Sequence, residues 1–148
     1  MACDAQGIIG AFQVTAGNVN ECTVFPALMQ AVAIRSAGGR ARRRPRCVAG
    51  DKGYSTPAIR RWCRAHRVRA VIPERSDQLA QRSHRRGRKP AFDPVAYRRR
   101  NVVERAVGWL KNLRRIATRA EKLATHFAAI VTIALIGRYA GRCLPDIT

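Results

Sequence analysis

Negative charge is scarce in this chain of 148 residues: nine Asp and Glu stand against 29 Lys and Arg, a formal net charge of +20. Such an imbalance excludes a cation-seeking surface and points to a polyanionic partner, with nucleic acid ahead of acidic proteins and membrane surfaces. Arg far outnumbers Lys, which suits bidentate phosphate contacts, although G+C-rich coding also enriches Arg. Paired cysteines are absent too. Cys3, Cys22, Cys47, Cys63 and Cys143 stand singly, with no CxxC spacing, which excludes a zinc ribbon and a disulfide framework and reads as small apolar side chains in a reducing cytosol. The longest strongly apolar run, 127–136, is interrupted by Thr132 and too short to span a bilayer, and no secretory leader is visible. A soluble cytoplasmic protein is expected, with no membrane partner. Its 47% hydrophobic content supports one modest folded core rather than a disordered basic tail.

Taken in order, Asp4 precedes the turn Ala5-Gln6-Gly7, and residues 8–15 favour a strand, so the chain opens on a hairpin whose first strand is cut short. Asn20 can cap a helix carrying Phe25, Leu28, Met29 and Val32 on one face. Residues 36–46, with Arg40, Arg42, Arg43 and Arg44, form a Gly- and Arg-rich loop, either plainly solvated or in contact with phosphate. A short buried strand over 47–50 then ends at Asp51-Lys52-Gly53-Tyr54. Ser55 or Thr56 with Pro57 starts a helix over 58–67, and 68–72 is the next strand, stopped by Pro73; together these make a βαβ unit with a parallel pair. Residues 74–92 show no sustained pattern and are expected to be a second basic loop, in which His84 is solvated. Thr118 to Glu121 fits a capping box before a last helix over 123–139, apolar nearly all round and therefore buried, with His126 at its core or edge.

The most informative stretch is 97–111, YRRRNVVERAVGWLK. Asp93-Pro94 is a helix-start signature, and a helix running from there through Arg115 separates two faces. Tyr97, Arg100, Glu104, Gly108, Lys111 and Arg115 share one, while Val102, Val103, Ala106, Trp109, Leu110 and Leu113 gather opposite. One carboxylate thus sits in a basic stripe. Of the nine acids, Glu21, Asp93 and Glu121 have helix-start roles, Glu74 and Asp77 lie in the second basic loop and Asp146 in the tail. Asp4, Asp51 and Glu104 remain, each with basic neighbours and no capping role. Three oxygen-only ligands suit Mg²⁺ or Mn²⁺, and two such ions roughly 4 Å apart serve phosphodiester chemistry.

These residues carry a resemblance. From CDAQGIIGAFQVTAGNVNE through GDKGY to YRRRNVVERAVGWLKNLRRIATRAEKLATHF, the chain resembles the carboxyl-terminal part of the catalytic domain of bacterial insertion-sequence transposases of the DDE type, IS5 group of the IS4-like superfamily. Its Tyr, Arg, Glu, Lys signature falls on Tyr97, Arg100, Glu104 and Lys111. The resemblance implies an α/β ribonuclease H-like core, incomplete at its first strand, in which Asp4, Asp51 and Glu104 form the metal-binding triad. It implies a DNA transposase, hydrolysing phosphodiesters at insertion-sequence ends and transferring strands to target DNA. Face geometry and the resemblance together assign Lys52, Arg100, Lys111 and Arg115 to phosphate contacts and Tyr97 to positioning DNA or the helix. Members of the group carry an amino-terminal helical DNA-binding region that has no counterpart in residues 1–148. The chain then reads as one partial domain: either a gene remnant, or a downstream frame joined to an upstream product, forming homo-oligomers when complete and residing with the bacterial nucleoid. A basic nucleic-acid-binding protein without catalysis, a decayed transposase or a ribosomal-protein-like module, is the competing reading.

Overall fold

The computed structural model describes residues 1–35, 41–42, 44–84, 87 and 90–143. Arg40 and Arg43 of the first basic loop, Arg85, Arg86, Arg88 and Lys89 of the second, and Asp146 lie outside the described residues. The architecture is mixed α/β, built on three two-stranded pairs rather than one continuous sheet.

Strands β1 (Ala2–Cys3) and β2 (Ile9–Ala11) form the opening hairpin. Only three of the residues expected to be strand are so, because β1 offers two residues to pair with. Pairing runs Ala2 with Ala11 and then Cys3 with Ile9, so Gly10 is an extra residue, a bulge that turns the strand. In consequence the hairpin serves both apolar clusters: Ala2 and Ala11 pack on one, Met1, Cys3 and Ile9 on the other.

Helix α1 (Glu21–Ala31) starts where Asn20 accepts the Cys22 amide at 2.9 Å. Its Phe25, Leu28 and Met29, with Val32 just beyond, meet Ile59 and Cys63 of α2 (Pro57–Ala65) and the flanks of β6 (Arg69–Val71), Val68 and Ile72. Burying each large side chain of this cluster is worth about 1.5–3 kcal/mol. Thr56 caps α2 through the Ile59 amide at 3.2 Å, with Pro57 at the tolerated first position. β5 (Cys47–Ala49) runs parallel to β6, Cys47 opposite Arg69 and Ala49 opposite Val71, so the βαβ unit is present as expected. β5 is only half-buried, however, since among the described residues it has a strand partner on one side alone. Cys63 is buried, whereas Cys3, Cys22 and Cys47 are half-buried free thiols.

Five expectations are corrected. The first basic loop is flanked by an antiparallel pair, β3 (Ile34–Arg35) with β4 (Ala41–Arg42). The second contains a helix, α3 (Ser76–Ser83), with one large apolar residue, Leu79, 46% exposed. Polar bonds, which leave no apolar period, hold it instead: Gln78 receives the Ser55 hydroxyl at 2.7 Å and donates to the Ser55 carbonyl, and Glu74 pairs with Arg82. Third, no single helix runs from Asp93 to Arg115. Asp93 does cap α4 (Pro94–Arg98), but Arg100, Val102 and Val103 donate to carbonyls three residues back, a tightened turn that separates α4 from α5 (Asn101–Lys111). α6 (Arg114–Ala117) is a further piece, ended by Thr118 and Arg119, the latter at φ +48°. No capping box forms at Thr118: its hydroxyl donates to the Arg114 carbonyl, and Glu121 pairs with Arg115.

The last helix, α7 (Ala124–Cys143), is the fifth correction. Val131 and Leu135 pack against Ile9, Ala106, Leu110 and Ile116, the Tyr139 hydroxyl accepts the Ile9 amide, and the Arg138 guanidinium lies 4.4 Å from the Trp109 ring centre. The other side, with Ile133 67% and Ile136 62% exposed and His126 exposed, is uncovered among the described residues. An apolar composition all round predicts burial only when neighbours exist on every side. Residues Ala124–Gly141 have the length and mean hydropathy, 1.2, of a membrane span, yet one face is committed to the protein core.

Urea unfolding distinguishes the two faces of α7. Leu135→Ala should cost about 2–5 kcal/mol, whereas Ile133→Ala should change stability by less than about 0.5 kcal/mol.

Candidate active site

Asp4 lies where β1 turns back. Its Oδ1 accepts the Gln6 and Ile8 amides, both at 2.9 Å, while its own amide donates to the Ile8 carbonyl at 2.9 Å. Gly7 holds φ +83°, and a methyl there would stand 3.2 Å from Val102 Cγ1. Only glycine suits that combination of backbone and crowding. The Asp4 turn is thereby brought against the first turn of α5, at Val102, two residues from Glu104 and from the helix-capping Arg100.

Asp51 follows β5 at its carboxyl end, the side of a parallel pair where open α/β sheets bind ligands. It too has a capping role: Oδ1 accepts the Gly53 amide at 2.8 Å and starts a 3₁₀ turn over Lys52–Tyr54. Lys52 within it is exposed. Tyr54, of the same turn, donates its hydroxyl to Glu21 Oε2 at 3.0 Å, and the Cys22 thiol donates to the Gly53 carbonyl at 3.0 Å. The Asp51 turn is therefore fastened to the first turn of α1. Burial raises the Tyr54 pKa well above its ordinary value near 10, and the Glu21 hydrogen bond and the negative charges of Glu21 and Asp51 push the same way.

Glu104 stands exposed in the first turn of α5, opposite the buried Ala106 and Leu110, as the two-faced pattern requires. Arg100 donates to its Oε1 at 2.5 Å, one turn earlier, and the same guanidinium lies 5.5 Å from the Tyr97 ring centre. Burial works against the charge of Arg100, but the Glu104 contact outweighs it and leaves the guanidinium more basic than usual. Phe92 packs on Tyr97 with ring centres 5.4 Å apart. Lys111 is exposed at the end of α5, and a side chain at Gly108 would meet open space. Arg115 belongs to α6 and pairs with Glu121 at 2.6 Å, so it is not on the Glu104 helix.

The structure thus joins Tyr97, Arg100 and Glu104 and seats Asp4 beside α5. It does not gather Asp4, Asp51 and Glu104: among the described residues no three Asp, Glu, His or Cys side chains form a group that could hold a metal ion. Their donor chemistry suits a hard divalent cation, all carboxylate oxygen. Their first oxygens, however, are used by backbone amides or by Arg100. The expectation that these three acids have no capping role is corrected for Asp51, which caps its turn, and Asp4 likewise accepts two turn amides; all eight described acids have partners within the chain, Asp93 with the Ala96 amide and Arg69 and Asp77 with Arg75 among them. Sequence reasoning also missed Ser55, fully buried, whose hydroxyl receives Arg60 at 2.9 Å while Arg60 also donates to the Ile72 carbonyl. A Ser before a helix-starting Thr-Pro gives no sign of this; Gln78, the fifth residue of a supposed loop, gives none either.

Comparison with known proteins now fixes the class. A family described as "Transposase DDE domain" matches residues 1–136, and the chain belongs to that family. It is 32% identical over 131 residues, 88% of its own length, to the putative transposase for insertion sequence element IS402 of Burkholderia cepacia. The chain spans 56%, about half, of that relative. No solved structure matches it.

The Tyr54 contact has a pH signature. The folded state holds the Tyr54 proton more tightly than the unfolded chain does, so its contribution is complete below pH 10 and is lost as pH rises through the folded value. Melting temperature should fall above pH 10, and less steeply in Tyr54→Phe.

Proposed function

We propose that this chain is the carboxyl-terminal part of the catalytic domain of a DDE transposase of the IS5 group, a single partial domain with a ribonuclease H-like core. The observation that carries the reading is the placement of Asp51 and Glu104, each exposed and each on a separate scaffold element, within a chain that matches the transposase DDE domain. On this reading Asp4, Asp51 and Glu104 are the ligands of Mg²⁺ or Mn²⁺, two ions when complete. Bound there, such ions polarise the scissile phosphodiester, lower the pKa of the attacking water or 3′-OH and stabilise the leaving oxygen.

The chain's own residues position the DNA. Lys52, in the Asp51 turn, and Lys111, at the end of α5, are exposed cations, and each phosphate they neutralise releases counterions. Arg100 has two alternatives. In the free chain it neutralises Glu104. A backbone phosphate offers the same guanidinium a bidentate partner, after which Glu104 is free to ligate. Tyr97, packed at a tilt against Phe92 and lying under the Arg100 guanidinium, holds that guanidinium beside Glu104. The bare stretch at Gly108 lets a backbone approach α5 closely. Arg115 contributes to the basic rim once released from Glu121. Partners on this reading are transposon-end and target DNA, the upstream-frame product and further copies of the complete protein, in the bacterial cytoplasm with the nucleoid.

In the complete protein, Glu104→Gln should reduce Mn²⁺-dependent cleavage of supercoiled plasmid to background while leaving DNA affinity within about threefold. Lys111→Ala should instead lower affinity and flatten the salt dependence by about one unit of slope. Cleavage that survives Glu104→Gln would remove Glu104 from the reaction, and a complete protein that binds DNA but never cleaves it would favour the non-catalytic reading.

A further inference from the structure

We infer that Glu21 is a positioning residue for the Asp51 turn, acting through the hydroxyl of Tyr54. This deepens the reading of Asp51 as a metal ligand and rests on it. Glu21 occupies the first turn of α1, where a carboxylate ordinarily has only the helix dipole to complement. Here it reaches across to another element: Tyr54 donates to its Oε2 at 3.0 Å, over a sequence separation of 33 residues. Tyr54 is half-buried and its ring lies 6.2 Å from Phe25, on the same helix as Glu21, so the phenol is held by packing at one end and by hydrogen bonding at the other.

The turn that Tyr54 closes is the one that aims Asp51. The Tyr54 amide donates to the Asp51 carbonyl at 3.2 Å, and the Gly53 amide to Asp51 Oδ1 at 2.8 Å. A second tie runs in parallel, from the Cys22 thiol to the Gly53 carbonyl at 3.0 Å. Two adjacent residues of α1 therefore grip two adjacent residues of the turn. β5 offers little alternative support, being three residues long and paired on one side only. With Oδ1 fixed on Gly53, the remaining oxygen of Asp51 has a defined direction, which is what a ligand shared with mobile DNA requires. Releasing Tyr54 leaves the carboxylate on a turn that can rotate about the end of β5.

The test measures Mn²⁺ binding by calorimetry on the full chain with a short DNA duplex at low ionic strength, alongside hydrogen exchange of the Gly53 and Tyr54 amides. Glu21→Ala should weaken Mn²⁺ binding about tenfold and speed exchange at both amides. Glu21→Gln should restore both, because its amide oxygen still accepts the Tyr54 proton. Tyr54→Phe should match Glu21→Ala. Asp51→Asn separates the layers. If Asp51→Asn weakens metal binding and Glu21→Ala does not, only the role of Glu21 is overturned. If Asp51→Asn binds Mn²⁺ as the unaltered chain does, the metal reading falls and the role of Glu21 falls with it. A Glu21→Gln protein as impaired as Glu21→Ala overturns the hydrogen-bond route, since charge alone would then be at work.

Discussion

The turn closed by Asp4 is the constraint on which the two halves of the molecule depend. Between Cys3 and Ile9 the chain must reverse so that a two-residue strand can serve two apolar clusters, and the Asp4 carboxylate does this by taking two backbone amides at once. Gly7 supplies the left-handed backbone, and its missing side chain lets Val102 of α5 approach. A residue offered to metal on one reading is thus also a structural member of the hairpin. The two roles are compatible, since one carboxylate oxygen can hold the turn while the other faces outward. They do mean that loss of Asp4 disturbs the fold as well as the chemistry, whereas Glu104 can be altered with little structural consequence.

Scarcity of negative charge explains much of the remainder. With 29 cations and nine acids, the described carboxylates are met by an arginine, an amide or, for Glu21, the Tyr54 hydroxyl. Most of these pairs are exposed and contribute at most about 1 kcal/mol each, so they stabilise little; their effect is to keep the acids occupied until a stronger partner arrives. Arg100 with Glu104 is the clearest case, because the guanidinium can exchange a carboxylate for a phosphate. On the proposed reading, a site assembled in this way would be closed by its substrate, and the three acids, which form no metal-holding group in the structure described, would come together only with DNA.

The sequence was most legible where an apolar period or a backbone-specific residue leaves a mark. Asn20, Thr56-Pro57 and Asp93-Pro94 each start a helix as read, and the parallel pair around α2 follows from two short apolar runs with a helix between them. The inward and outward faces of α5 were legible for the same reason. Polar structure was not. The helix over Ser76–Ser83 depends on bonds between Gln78 and Ser55, which reach across 23 residues and impose no periodicity, with Arg60 in turn holding the Ser55 hydroxyl. Helix breaks at Arg99-Arg100 and Asn112-Leu113 carry neither Gly nor Pro. Burial of α7 was misread because composition reports what a surface prefers, not whether a neighbour is present to cover it. In the candidate site, the company each acid keeps was not readable: nothing in the spacing of Asp4, Asp51 and Glu104 showed that each would already be engaged.

The central claim is that Asp4, Asp51 and Glu104 become one metal site when DNA draws Arg100 away. Mn²⁺ affinity, measured at fixed ionic strength with and without a short DNA duplex, tests it most directly. Coupling between the two ligands should raise Mn²⁺ affinity about tenfold when DNA is bound, and Arg100→Ala should bind Mn²⁺ tightly without DNA and gain little from adding it. Equal Mn²⁺ affinity with and without DNA, together with an Arg100→Ala protein indistinguishable from the unaltered chain, would contradict it.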